Sequence, residues 1–214
     1  ANTTIGIVGG TGAGKTTLVD IMLGLLDPAD GVMRVDGEPI TPETRRAWQK
    51  TLGYVPQTIF LSDGTVAENI AFGLPPDRID HAAVERAARV AALHDFVTTE
   101  LPEGYSTRVG ERGVRLSGGQ RQRVGIARAL YHDPAMLILD EATSALDNLT
   151  ERAVMEAVHN ITGQKTIVMI AHRLSTIRNC DRIFLLRNGR VAASGRFEDL
   201  VQADDEFRRL AASA

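Results

Sequence analysis

Residues 4–17 read TIGIVGGTGAGKTT, and no other stretch constrains the fold as tightly. A β-branched run, Thr4–Val8, enters a glycine-rich turn. Apolar residues at helical spacing (Leu18, Ile21, Met22, Leu25) then predict a helix over Lys15–Leu26, stopped at Asp27–Pro28. Strand, turn and helix in that order make a phosphate cradle. Backbone amides of Gly9, Gly10, Thr11, Gly12, Ala13 and Gly14 can turn inward, and the helix start carried by Lys15–Thr17 favours an anion. Lys15 adds a point charge for β- and γ-phosphates, and the Thr16 hydroxyl can ligate Mg²⁺. A glycine-rich turn with a chance lysine would not need the strand before it and the helix after it. The stretch predicts a nucleotide site in an α/β domain.

The rest of the chain extends that plan. Val32–Val35 and Pro39–Ile40 flank Asp36–Gly37 as a hairpin, and Leu52–Val55 reads as a strand ended by Pro56 and Gln57. Residues 77–99 are alanine-rich with helical periodicity (Ala83, Ala87, Val90, Leu93, Val97), followed by glycine-rich connections at Gly104 and Gly110–Gly113. Strands are then expected at Met136–Leu139, Thr166–Ile170 and Arg182–Leu186, a helix at Glu151–Ile161, a second hairpin at Asn188–Gly189, and two closing amphipathic helices. Alternating strands and helices predict a P-loop NTPase core with a mostly parallel sheet flanked by helices and small antiparallel elements. Residues 1–73 and 132–214 are expected to form that RecA-like core, and 74–131 an inserted helical subdomain.

Bulk properties exclude several classes. A net charge of −3 and a pI near 6.0 leave no electrostatic footprint for nucleic acid. The single cysteine, Cys180, forms no internal disulfide, which fits a reducing compartment. No apolar run approaches the roughly 18–20 residues that span a bilayer, and the first residues given do not read as a signal peptide. The chain lacks an initiator Met and enters a strand almost at once, as a piece of a longer polypeptide would.

Leu137–Glu141 (LILDE) places two carboxylates past the carboxyl end of a buried strand, where ligands of open α/β sheets gather. Asp140 suits Mg²⁺ through its water shell, and Glu141 suits the deprotonation of an attacking water. Acidic capping of the next helix is the plainer alternative. Gln57 and His172 likewise follow strands. Each alone reads as structural, but together they place polar groups along one rim, Gln57 for metal and water and His172 for a γ-phosphate. Val114–Arg123 (VRLSGGQRQR) raises a further question. Ser117, Gly118, Gly119 and Gln120 form a second anion-suited helix start in a chain that already has one.

The pairing of LSGGQ with LILDEATSALD about twenty residues later resembles the nucleotide-binding domain of ABC transporters. The resemblance runs through the P-loop, the Gln57 loop, LSGGQ, LILDE, Ser144–Asp147 (SALD) and His172, in order over essentially the whole chain. It implies ATP and Mg²⁺ as ligands, with Thr16, Gln57 and Asp140 at the metal and Glu141, His172 and Gln57 in hydrolysis. It also implies that Ser117–Gln120 of one copy closes over the γ-phosphate held by Gly9–Thr16 of a second copy, head to tail. Thr107–Gly113 (TRVGERG) and Thr65–Gly73 (TVAENIAFG) resemble the exporter branch, more loosely the exporters of polysaccharide or lipid-linked oligosaccharide. That branch implies a transmembrane partner fused upstream and a place at the cytoplasmic face of a membrane.

The family stacks adenine on an aromatic upstream of the P-loop, and residues 1–8 contain none. An importer ATPase is the nearest alternative, opposed by TRVGERG. A soluble ABC ATPase acting on DNA or ribosomes would carry coiled-coil insertions, tandem cassettes or basic surfaces. A catalytically silent regulator would lack Glu141 or His172.

Overall fold

The computed structural model describes residues 2–142, 146–162, 165–171 and 174–212. In chain order the elements are β1 (Thr4–Val8), α1 (Lys15–Met22), β2 (Arg34–Val35), β3 (Glu38–Pro39), α2 (Arg45–Gln49), β4 (Leu52–Val55), α3 (Val66–Ile70), α4 (His81–Val90) and α5 (His94–Glu100). There follow α6 (Gly118–Leu130), β5 (Met136–Asp140), α7 (Asn148–Thr162), β6 (Thr166–Ile170), α8 (Leu174–Ile177), β7 (Arg182–Arg187), β8 (Arg190–Gly195), α9 (Phe197–Ala203) and α10 (Asp205–Ala212). They form two units, residues 1–52 with 166–214, and residues 53–165.

In the first unit the strand order is β6-β1-β7-β8. β1 runs parallel to β6 (Ile5 opposite Val168, Ile7 opposite Ile170) and to β7 (Ile7 opposite Phe184), while β8 returns antiparallel. β6 is apolar and buried from Ile167 to Ile170, as a strand covered on both faces must be. Both predicted hairpins form on paired left-handed residues, Asp36–Gly37 (φ 50° and 87°) and Asn188–Gly189 (φ 51° and 72°). That geometry matches the twist of the flanking strands.

The first helix is shorter than its apolar spacing predicts. It ends at Met22 rather than Leu26, and Gly24 is left-handed at φ 66°. Its terminal carbonyls are taken from outside, Met22 O by the Trp48 indole N–H (2.7 Å) and Leu23 O by Gln49 Nε2 (3.1 Å). With those orphan carbonyls satisfied, further turns gain little, and Leu25 and Leu26 are left exposed.

In the second unit β4 and β5 are hydrogen-bonded neighbours, and α6 packs against α3 and α4. The periodic run at 77–99 forms two helices, α4 and α5. The break falls at Ala92, left-handed at φ 51°, whose carbonyl accepts from Arg123 Nη1 at 2.6 Å. The core gathers Leu61, Ile70, Val84, Leu93, Val97, Ile126, Leu137 and Ile138. Among the described residues no helix is long and apolar enough to cross a membrane.

Candidate functional site

The P-loop lies between β1 and α1 in the first unit. Gly9 packs so closely on β7 that a Cβ would meet the Leu186 carbonyl oxygen at 2.4 Å. Gly14 caps α1 in the left-handed region (φ 96°) and offers no side-chain cap to the helix amides behind it. The loop is braced from two directions, by Ala13 N donating to Gly10 O (3.2 Å) and by Gly189 N of the second hairpin donating to Ala13 O (3.0 Å). Lys15 Nζ donates to Gly9 O (2.7 Å) and Gly10 O (3.1 Å), so its charge is held directly over the loop.

This arrangement fits a phosphate chain. A Cβ at Gly10 or Gly12 would meet no atom within 4 Å, and Thr11, Thr16 and Thr17 are exposed. It also fits Mg²⁺ that arrives with phosphate. Mg²⁺ is commonly bound through one or two carboxylates, substrate oxygens and water rather than an all-protein cage. Among the described residues no group of three or more His, Cys, Asp or Glu side chains could hold a metal by itself.

Four of the other predicted sites lie in the second unit. β5 is buried through Leu137, Ile138 and Leu139 and delivers Asp140 and Glu141 at its carboxyl end. Gln57 Nε2 donates to Glu141 Oε2 at 2.9 Å, so two of the predicted residues meet directly. Tyr54 Oη is 3.5 Å from Asp140 Oδ2, a long contact. Glu141 is left-handed at φ 50°, which for a residue with a Cβ costs roughly 1–2 kcal/mol. The neighbouring Asp147 holds its carboxyl below the usual range, chiefly by accepting from the Thr150 hydroxyl (2.6 Å) and amide (3.0 Å).

Ser117 opens α6 with a reciprocal cap. Its Oγ accepts from Gln120 N (3.2 Å), and Gln120 Oε1 accepts from Ser117 N (2.7 Å). Gly118 and Gly119 form the first turn between them. His172, and Ser144 and Ala145 of the SALD loop, lie outside the described residues.

Two contacts were missed from sequence. Gly189 bracing Ala13 has no local signal, because the partners are 176 positions apart in the chain. Gln122, buried at 3% exposure, donates from Nε2 to the Glu141 carbonyl at 3.1 Å. It did leave a trace, as a polar residue in register with Ile126 and Ala129 on the inward face of α6.

A family model for the ABC transporter matches residues 1–144. The ATP-dependent lipid A-core flippase of Cupriavidus metallidurans is 47% identical over 198 residues, 92% of this chain and 33% of the flippase. ABC transporter B family member 17 of Arabidopsis thaliana is 44% identical over 196 residues, 92% of this chain and 16% of that protein. A solved bacterial Atm1-family ABC exporter with ATP bound is similar at a TM-score of 0.93 and 41% identity, over 100% of this chain and 37% of the other. The chain therefore spans about a third or less of the curated relatives it matches. The predicted fold class is borne out, and the chain belongs to the ABC transporter family.

Proposed function

We propose that the chain is the ATP-hydrolysing motor domain of an exporter, working in a head-to-tail pair at the cytoplasmic face of a membrane. The contrast between the two helix starts carries this reading. α1 has no side-chain cap and is faced by the Lys15 charge, whereas α6 caps itself through Ser117 and Gln120. The first start suits the chain's own triphosphate. The second needs no ligand to complete it within its own chain and suits the γ-phosphate of a partner copy. Membership of the family is what assigns both sets to one reaction.

Lys15 exchanges the Gly9 and Gly10 carbonyls for phosphate oxygens, and the Gly9–Thr17 amides hold the triphosphate in place. Mg²⁺, held by Thr16 and Asp140 with Gln57 near it, would neutralise charge on the β- and γ-phosphates. Glu141 accepts the proton of the attacking water while Gln57 fixes one carboxylate oxygen. His172 is assigned to the γ-phosphate, residues 74–131 to the subdomain that carries the signature, and a membrane domain fused upstream to the transport step. The exporter relatives and the chain's share of their length support that last assignment.

Glu141→Gln tests the reading. Gln keeps the shape but takes no proton, so turnover should fall at least about 10²-fold while Mg-ATP binding persists and traps an ATP-dependent dimer. Lys15→Ala should weaken binding itself. A Glu141→Gln chain that hydrolyses ATP near the wild-type rate removes Glu141 from the base role. For the pairing, Lys15→Ala and Ser117→Arg chains are mixed. Recovery of ATP-dependent association is expected, because one composite site in the mixed dimer is whole, and no recovery refutes the trans arrangement.

A further inference from the structure

The catalytic carboxylate in this reading hangs on a backbone conformation that its own residue type disfavours. Glu141 is left-handed at the first step beyond β5, and side-chain direction at a Cα follows from φ and ψ. A return to negative φ would swing the Glu141 side chain away from its 2.9 Å contact with Gln57. The Glu141 carbonyl, turned by that same conformation, accepts from Gln122 Nε2 at 3.1 Å. Gln122 is buried on the 13-residue helix α6, five residues after Ser117, which caps that helix. A buried carboxamide has few rotamers open to it, so this donor is a rigid one.

We propose that Gln122 is a positioning residue: its N–H grips the Glu141 carbonyl, holds Glu141 left-handed and so sets where the carboxylate meets Gln57. The proposal rests on Glu141 being the base. It adds a link between the two ends of the reaction. Ser117 and Gln122 ride on one helix about 7.5 Å apart along its axis, so a displacement of the signature mouth is passed to the base as a rigid movement. Base placement and signature engagement are thereby tied through the Gln122 side chain.

The test is Gln122→Met on the full chain with Mg-ATP, which keeps the length of the side chain and removes the donor. Misplacing a reacting group by about 1 Å costs on the order of 10²-fold. The kcat should therefore fall by about tenfold or more, with KM and ATP affinity within about twofold of wild type and Tm little changed. Adding Gln122→Met to Glu141→Gln should slow the chain no further, because the group being positioned is already disabled. An inactive Glu141→Gln chain beside a fully active Gln122→Met chain overturns this proposal and leaves the base reading intact. An active Glu141→Gln chain overturns the base reading, and the proposal with it. Parallel losses in kcat, ATP affinity and Tm mean a packing role and also overturn it. If Gln122→Met does not fold, Gln122→Glu gives a separate readout. An ionised carboxylate there accepts hydrogen bonds and cannot donate to the Glu141 carbonyl, so kcat should fall by about tenfold or more with ATP affinity within about twofold of wild type. A kcat near the wild-type value refutes the proposal.

Discussion

Asn69→Ala should be among the more damaging single changes in the second unit. Asn69 is fully buried, with Oδ1 accepting from Ser62 N (2.9 Å) and Arg128 Nη2 (3.3 Å) and Nδ2 donating to Ser62 O (3.1 Å) and Thr65 O (3.0 Å). The carbonyls are not stranded by truncation. Ser62 O also accepts from Gly64 N (2.8 Å), and Thr65 O from Asn69 N (3.0 Å). Arg128 keeps Phe60 O and Asn69 O, both at 2.8 Å, and its place over the Phe72 ring. What is lost is the two Nδ2 hydrogen bonds at roughly 0.5–1.5 kcal/mol each, the longer 3.3 Å contacts from Arg128 Nη2 and Ser62 Oγ, which add little, and the partner of the Ser62 amide, whose desolvation costs about 1–3 kcal/mol. The expected loss is about 3–4 kcal/mol, a large part of the 5–15 kcal/mol typical of folded domains. At this size that lowers Tm by about 10 °C. The assay is urea unfolding followed by circular dichroism, with the midpoint falling at an unchanged slope. A loss under about 1 kcal/mol would refute the view of Asn69 as the buried hub that fixes the chain beyond Gln57.

Three further outcomes are expected. Ala92→Gly should stabilise the chain by about 0.5–1 kcal/mol in the same assay, because glycine carries no penalty at φ 51°; destabilisation would mean the Cβ contributes packing that outweighs the strain. Cys180 is buried and its thiol is pushed up to about 12, first by desolvation and then by Asp181. It should resist an aromatic disulfide reagent at about pH 8 until guanidinium unfolds the chain, and rapid stoichiometric labelling of the native protein would contradict this. Asp204 caps α10, and its pKa is lowered by the Phe207 amide and then by Arg187. Its contribution is complete above the unfolded value of about 3.9 and is lost as pH falls through the lower folded value. Asp204→Asn keeps the cap without the charge and should flatten that acid limb; an unchanged limb would assign the acid sensitivity to other carboxylates.

What the sequence determined by itself was whatever closes within a few residues. Leu52–Val55 and Thr166–Ile170 have the predicted bounds because alternation and burial are local patterns. Asp36–Gly37 and Asn188–Gly189 turn as expected because two adjacent residues tolerate positive φ. Ser117 caps α6 because Gln120 lies three positions on. The tertiary structure decided what depends on partners far along the chain. α1 ends at Met22 because Trp48 and Gln49, some 26 residues later, take its carbonyls. The 77–99 run breaks where Arg123 donates to the Ala92 carbonyl. Glu141 was legible as a carboxylate beyond a strand, but its left-handed backbone and the hold of Gln122 were not. A side chain's hydrogen-bond partner across 19 residues is set by packing, and periodicity reports only which face is buried, not what that face meets.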